Sequence, residues 1–261
     1  MIVSILKYSL LFHLINGQGR NYNLFMPDLP PPRSFSTSLP TVTTTRITHS
    51  FPTRSFTKIY LFNGPFHVQL YQIDNNSTSV EVETDQSIQE FLLVNIEEND
   101  ILTIRLIKHF HIDPNLNITI VIIYQQINEI MVDGMIDIEC LNSIETNHLR
   151  FYHRNTGSIR LQLNVNLFDA YLHSIGHVEI SGQVFNDTHI KSLMIGNIDC
   201  RKLLTRNIHL ISSGIGNMYV MAIDQVNITL NGLGNVYYSG PLKEQIHIGL
   251  GKIISQSDLF S

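Results

Sequence analysis

Two histidines and an aspartate occupy equivalent places in a repeating part of the chain. Asp169, His189 and His209 each lie seven residues before a glycine of a recurring series. Equivalent places of a repeat fall on neighbouring strands, and two imidazoles with a carboxylate can coordinate zinc or a similar ion. Two histidines side by side on a sheet are more often simple neighbours, so we expect neither a metal nor a cofactor. A second pair, His109 and His111, shares one strand face without an evident third ligand.

Acidic side chains are the other candidates for chemistry. Polysaccharide lyases and hydrolases need convergent carboxylates, either around calcium or as a pair at catalytic distance. The acids of the repeats are instead scattered, with Asp133 and Asp137 in one coil and Glu179 and Asp199 in later coils. The Gly-x-Ser-x-Gly motif of serine hydrolases is absent from the sequence. We therefore predict no catalytic residues and no enzyme activity, and a polysaccharide-active enzyme, a lyase or hydrolase, remains the alternative.

One column of surface positions points to binding. The residues three places after successive glycines should face solvent; they are Asp137, Arg160, Glu179, Asp199, Tyr219 and Tyr237. The first three would alternate in charge, and a solvated ladder of such exposed pairs contributes only about 0–1 kcal/mol per pair. The alternative to a plain ladder is a flat binding face, with Tyr219 and Tyr237 as an aromatic platform. These tyrosines are the predicted ligand contacts, and the expected partners are glycans or extracellular and cell-surface proteins.

The columns depend on a glycine that recurs about every 20 residues. It occurs at Gly134, Gly157, Gly176, Gly196, Gly216, Gly234 and Gly251, and apolar residues follow the first six of these two and four places later. Alternating strands at a fixed period are typical of a solenoid, in which each coil buries its apolar face against the next. The sequence predicts an all-β parallel β-helix with about 17–23 residues per coil. Asn197, Asn217 and Asn235, one place after successive glycines, are predicted to form a structural ladder.

The late coils carry motifs of a known family. Residues 230–241 read Leu-Asn-Gly-Leu-Gly-Asn-Val-Tyr-Tyr-Ser-Gly-Pro, and residues 249–253 read Gly-Leu-Gly-Lys-Ile. With the segments 56–59, 63–70 and 99–104, they resemble the head GIN domain of the auto-transporter adhesin family over about residues 56–254. The resemblance implies a right-handed parallel β-helix and an adhesin-like role, and it carries no catalytic residues. The chain departs from the family in having Ile or Leu where the family often has Ser between glycines.

Two segments precede the predicted β-helix. Residues 1–19 combine an apolar stretch with small residues at Gly17 and Gly19 and are predicted to be a signal peptide, with a buried strand as the alternative. Residues 20–55 are rich in Ser, Thr and Pro and are predicted to be a disordered linker. The β-helix domain is therefore placed at 56–261. No later apolar run reaches membrane length, so we expect a secreted, extracellular protein without a membrane span.

Sequons, charge and cysteines agree with that expectation. The predicted N-glycosylation sites are Asn75, Asn76, Asn117, Asn186 and Asn227. The formal net charge of −5 leaves no basic excess to neutralise phosphates, and nucleic acid is not an expected partner. Cys140 and Cys200 lie three coils apart, roughly 14 Å at the strand spacing of a sheet. That separation is too long for a disulfide, so both are predicted to be free, inward-facing thiols.

Overall fold

The computed structural model describes residues 46–74, 77–107 and 117–256 of the 261-residue chain. Several predicted features lie outside the described residues: the signal peptide, the linker up to residue 45, Asn75, Asn76, His109 and His111. The described residues are almost entirely strand, with one four-residue helix. The elements in chain order are β1 Arg46–Pro52, β2 Lys58–Gln72, β3 Ser79–Asp85, α1 Gln86–Gln89, β4 Leu92–Glu97, β5 Ile101–Leu106, β6 Ile118–Tyr124, β7 Glu129–Cys140, β8 Ile144–Thr156, β9 Ile159–Ile175, β10 Val178–Ser192, β11 Ile198–Ser212, β12 Met218–Met221, β13 Gln225–Leu230, β14 Val236–Ser239, β15 Leu242–His247 and β16 Ile253–Ser255.

The strands from β7 onwards stack as parallel coils. Residues in register on successive coils are separated by 17 to 21 positions; they are Ile138, Ile159, Val178, Ile198, Met218, Val236 and Ile253. Parallel pairing satisfies the backbone of each coil through its neighbours, which one coil alone could not do. The predicted all-β parallel solenoid is confirmed, and it has about six turns.

Alternation along each strand builds the core. In β9, the residues Ile159, Leu161, Leu163 and Val165 are buried, and Arg160 and Gln162 between them are exposed. The inward side chains of all coils join one continuous hydrophobic cluster. Since burial of each aliphatic side chain stabilises by roughly 1.5–3 kcal/mol, the stack as a whole offsets the entropy cost that a single coil cannot.

The glycines form a column at one corner, with one correction to the prediction. Gly176, Gly196, Gly216, Gly234 and Gly251 each lie over the glycine of the coil below, but Gly157 lies over Ile136. Gly134 instead packs beside the backbone of Asn63 and Gly64 and is not in the column. The first coil is therefore offset by two residues from the glycine alignment, and Arg160 pairs with Glu139 rather than facing Asp137.

The N-terminal end of the solenoid is closed by antiparallel strands. β5 and β6 pair parallel with β2 and form a coil on its outer side. β4 then adds to β5, β3 adds to β6, and β1 adds to β3, all antiparallel. The parallel coils thus begin before Glu129, where the sequence first shows regular repeats, because β2 already pairs along its length with β7.

The placement of β1 corrects the predicted linker boundary. Residues 46–52 belong to the segment that was expected to be disordered up to residue 55, and they form a strand in full register with β3. Phe51 packs against the hydrophobic core, and Thr53 and Thr78 exchange hydrogen bonds just beyond the strand. The Ser and Thr content of the segment obscured a short strand, in which Ile47, Thr48 and Phe51 are of residue types enriched in strands.

The two cysteines are free, as predicted. Cys200 is buried, and burial raises the pKa of its thiol. Cys140 is half-buried at the end of β7, and burial raises its thiol pKa to about 11. Both therefore act as small hydrophobic groups at neutral pH.

Among the described residues, none of the helical structure is long and apolar enough to cross a bilayer.

Candidate functional site

Tyr219 and Tyr237 lie next to each other on the wall that follows the glycine corner. This wall is the side of the solenoid formed by the residues directly after each corner glycine, and the wall before the corner is formed by the residues directly before it. They are in register on the parallel strands β12 and β14. Their rings are stacked, with centroids 4.9 Å apart and planes within 9° of parallel. Rings this close cannot lie flat side by side on the surface, so each turns a face to the other and an edge outward. The structure brings the two predicted contact residues together; a role in binding stays a prediction.

An arginine extends the aromatic stack by one coil. The guanidinium carbon of Arg201 lies 4.8 Å from the centroid of the Tyr219 ring, within the range of a cation–π contact. The Nε of Arg201 donates to Asp199 at 2.9 Å. This hydrogen bonding is the main reason that the pKa of the Asp199 carboxyl is lowered. Arg201 is therefore held in place beside Tyr219.

The asparagine ladder lies beside the tyrosines and is confirmed. The Oδ1 of Asn197 accepts from the backbone N–H of Asn217 at 2.8 Å, and the Oδ1 of Asn217 accepts from that of Asn235 at 3.1 Å. Asn235 in turn accepts from the N–H of Lys252 at 2.9 Å. Its Nδ2 also contacts the hydroxyl of Tyr237 at 3.3 Å. The ladder bonds side chain to backbone, which satisfies N–H groups at the corner and positions the Tyr237 hydroxyl.

Several acidic side chains of the coils form ion pairs with basic neighbours. The pairs are Asp133 with Arg154, Glu139 with Arg160 at 3.0 Å, Glu179 with Lys202 at 2.9 Å, and Asp224 with Arg206 at 2.8 Å. Glycoside hydrolysis needs two carboxyl groups that flank one bond, with at least one of them poised as an acid. Carboxylates that each pair with a separate cation do not form such a pair of carboxyl groups around one bond. These residues therefore give no support to the alternative of a polysaccharide lyase or hydrolase.

The histidine column lies on the wall that precedes the glycine corner. Asp169, His189, His209 and Asn227 are in register on β9, β10, β11 and β13, as the glycine spacing predicted. The rings of His189 and His209 have centroids 5.0 Å apart and are tilted by 40°. The parallel register alone therefore places two imidazoles beside each other on the surface.

Asp169 makes contacts different from those of a metal ligand. Its Oδ1 lies 2.8 Å from Nδ1 of His189, and its Oδ2 lies 2.7 Å from Nε2 of His148. Burial alone would raise the pKa of this carboxyl, but the two hydrogen bonds and the two imidazoles lower it overall. The described residues contain no group of three or more His, Cys, Asp or Glu side chains that could hold a metal ion.

His148 is a member of this cluster that the sequence did not reveal. It lies nine residues before Gly157, not seven, so alignment on the glycines places it in a different column. In the sheet it is in register with Leu167 and reaches Asp169 diagonally. No spacing in the sequence signals such a diagonal contact, because it depends on how far a side chain reaches toward the adjacent coil.

A shallow groove runs along the histidine column. Its volume is about 300 Å³, and its lining includes Tyr171, Lys191, His189, His209, Asn227 and Glu244. Tyr171 also stacks on Tyr152 of the preceding coil, with centroids 5.1 Å apart and planes within 8° of parallel. The solenoid thus carries two tyrosine stacks on different walls.

Three predicted glycosylation sites lie among the described residues. Asn117 is exposed just before β6, and Asn186 is exposed at a register shift in β10. Asn227 is half-buried, and its Nδ2 lies 3.0 Å from Nδ1 of His209. The structure therefore leaves room for a glycan at Asn117 and Asn186, and it engages the side chain of Asn227 in the histidine column.

Solved structures with a similar fold are named as adhesins or as a lipid-binding protein. A putative adhesin from Bacteroides fragilis is 20% identical, with a TM-score of 0.73 over 81% of this chain and 97% of that chain. A putative adhesin from Parabacteroides distasonis is 18% identical, with a TM-score of 0.61 over 82% of this chain and 98% of that one. A putative lipid binding protein from the same species is 16% identical, with a TM-score of 0.51 over 80% and 96%.

At these identities the likeness establishes the fold alone. No curated protein matches the sequence. The model of one family, by contrast, matches residues 55–241, which is most of the chain and includes the corner glycines up to Gly234, the asparagines of the ladder, both tyrosine stacks and the histidine column. The chain therefore belongs to the family described as "Putative auto-transporter adhesin, head GIN domain".

Proposed function

We propose that this chain is a secreted, non-catalytic binding protein that contacts a glycan or a cell-surface protein through the wall carrying Tyr219 and Tyr237. Its adhesin-like family and the adhesins of similar fold support an extracellular or cell-surface role. The observation that carries the choice of surface is the Tyr219–Tyr237 stack with Arg201 against it. Tyrosine and arginine are enriched among residues that dominate binding energy at interfaces.

The geometry refines what this wall would recognise. The ring faces of Tyr219 are occupied by Tyr237 on one side and by the Arg201 guanidinium on the other. A sugar ring laid flat on Tyr219 would have to displace one of them. The groups available to a ligand are therefore the outward ring edges, the Tyr219 hydroxyl, the O–H donor of Tyr237, whose oxygen accepts from Asn235, and the outer part of the guanidinium. These suit a ligand that offers hydroxyl or carboxylate oxygens in a line along the solenoid axis.

The stack is also pre-organised for binding. Both tyrosines sit on strands whose register is fixed by the coils on either side, and Asn235 holds the Tyr237 hydroxyl. Rigid aromatic side chains lose little conformational entropy when a ligand binds, which favours affinity. This property belongs to the folded wall and not to the tyrosines as isolated residues.

A glycan-array screen of the purified protein, with and without calcium, tests the proposal. For any glycan bound, the variant with both Tyr219→Ala and Tyr237→Ala should lose affinity by at least about thirtyfold, since interface anchors of this kind contribute about 2 kcal/mol or more. The matched control removes the other stack, with Tyr152→Ala and Tyr171→Ala, and should bind as the wild type does. Equal binding by all three proteins, or loss only in the control, would contradict the proposal. If no glycan binds, the same variants are compared for attachment to cell surfaces.

A further inference from the structure

We propose that His189 and His209 form a two-histidine site for a divalent transition-metal ion such as Zn²⁺, Ni²⁺ or Cu²⁺. The two residues are directly in register on the neighbouring parallel strands β10 and β11. Their rings are 5.0 Å apart between centroids and tilted by 40°. Two nitrogens bound to one tetrahedral zinc ion lie about 3.3 Å apart, given Zn–N bonds of about 2.0–2.1 Å. The site therefore requires rotations about the side-chain bonds that bring the two ligand nitrogens to that distance.

The inner nitrogen of each ring is already engaged. Nδ1 of His189 lies 2.8 Å from Oδ1 of Asp169, and Nδ1 of His209 lies 3.0 Å from the amide of Asn227. Histidines that bind metals almost always donate the N–H of their second nitrogen to a partner, which fixes the ring and raises the basicity of the ligand nitrogen. The carboxylate of Asp169 can accept from His189 in this way. The engaged Nδ1 atoms leave Nε2 of both rings as the candidate ligand atoms. Asp169 therefore supports the site from behind and is not itself a ligand.

The amide of Asn227 bears on the tautomer of His209. Its Oδ1 is buried and has no hydrogen-bond partner among the described residues. A half-turn of the amide would let Oδ1 accept the Nδ1–H of His209, and the orientation of an amide group is an assignment that hydrogen bonding decides. That tautomer of His209 has its lone pair on Nε2. In that orientation the amide oxygen of Asn227 accepts from His209, and Nε2 of His209 is able to bind a metal.

The donor set determines which ions are suitable. Imidazole nitrogens favour Zn²⁺, Ni²⁺ and Cu²⁺, and they do not suit Ca²⁺ or Mg²⁺, which prefer oxygen ligands. Since the described residues provide no third His, Cys, Asp or Glu ligand, the remaining coordination positions would be open. They face the groove of about 300 Å³ along this wall, where water or an oxygen of a bound ligand can complete the coordination.

Calorimetric titration of the purified protein with Zn²⁺, followed by NMR of the imidazole signals, tests the site. We expect one ion per chain, with shifts concentrated on His189 and His209. His189→Ala and His209→Ala should each abolish this binding. The matched control is His173→Ala, which removes an exposed histidine of β9 on the same wall and should leave the affinity unchanged. A thermal melt of each variant confirms that the fold is retained.

A positioning variant separates this site from adventitious binding by surface histidines. Asp169→Asn removes the charge behind His189 and should weaken the affinity for Zn²⁺ about tenfold, as is typical for a group that orients a metal ligand. The proposal is overturned if either single histidine variant keeps the wild-type affinity, if His173→Ala weakens binding as much as they do, or if Zn²⁺ does not bind.

Discussion

Gly196 lies directly against the carbonyl oxygen of Gly176 on the preceding coil. A Cβ atom at Gly196 would be 1.8 Å from that oxygen, and the φ angle of Gly196 is +134°. Both features exclude a side chain, because the backbones of the two coils meet at the corner and only glycine adopts this conformation without strain. The glycine therefore recurs in the sequence because the backbones of successive coils are in close contact at this corner.

Gly196→Ala should destabilise the protein by about 3 kcal/mol or more, since neither the clash nor the backbone strain can be relieved locally. Gly134→Ala is the matched control: a Cβ there would meet its nearest neighbours at 3.2–3.3 Å, and a smaller loss is expected. Urea unfolding followed by circular dichroism measures both. Similar unfolding midpoints for the two variants would contradict the assignment of Gly196, and not Gly134, to the corner column.

The repeat explains how much of the fold was predictable. The apolar residues two and four places after the repeating glycines identify the inward face of the strand, since side chains along a strand alternate between its two faces. The alignment failed at Gly134, because β7 contributes Ile136 and not a glycine to the corner. It also failed at β1, whose pairing with β3 joins segments that are not repeats of each other. Periodicity predicts contacts between equivalent residues of the repeats. It does not predict the antiparallel strands that close the N-terminal end of the solenoid.

The candidate sites divide in the same way. The stacking of Tyr219 on Tyr237 and of His189 beside His209 follows from register alone, and both were predictable from spacing. The contacts of Asp169 with His148 and of Arg201 with Tyr219 were not, because each depends on the length and direction of a side chain that reaches out of its own column. Contacts between residues at equivalent repeat positions can therefore be predicted from the sequence. Contacts between residues at different repeat positions cannot.

Asn217 should contribute to stability through one specific hydrogen bond. Its Oδ1 accepts from the backbone N–H of Asn235 at 3.1 Å, and Asn217→Ala leaves that donor without its partner at a cost of about 1 kcal/mol. Asn217→Asp keeps an acceptor oxygen and should retain most of the stability. Equilibrium unfolding in urea compares the two. Equal losses in both variants would show that packing of the side chain, and not the accepted hydrogen bond, is what matters.

His153 is a fully buried histidine in the core, at 0% exposure, and neither ring nitrogen has a hydrogen-bond partner among the described residues. Its neighbours in register, Val132 and Leu172, are apolar. Burial lowers its pKa from 6.5 to about 4, although the charge of Asp137 acts in the opposite direction. The folded protein therefore holds this imidazole neutral under conditions where the unfolded chain would protonate it.

Stability should accordingly depend on pH through His153. Between pH 6.5 and about 4 the unfolded chain binds the additional proton, so the free energy of unfolding decreases as the pH falls and is fully retained above 6.5. The lowered pKa of His153 should reduce the free energy of unfolding by about 3 kcal/mol at the acidic end of this range. Urea titrations at several pH values test this, with His153→Leu as the control that cannot titrate. If the variant loses stability between pH 6.5 and 4 as steeply as the wild type, His153 is not the group responsible.

The sequons should differ in occupancy when the chain is expressed in a eukaryotic secretory system. Asn186 is exposed at the register shift of β10, where a glycan can project into solvent. Asn227 has a buried Oδ1 and an Nδ2 that contacts His209, and a glycan there would break that contact and fill the groove. Mass spectrometry of the glycopeptides should find Asn186 occupied and Asn227 bare. Asn186→Gln should therefore lower the glycan mass and Asn227→Gln should not, and the reverse pattern would show that the wall before the glycine corner is covered by carbohydrate instead of open to a ligand.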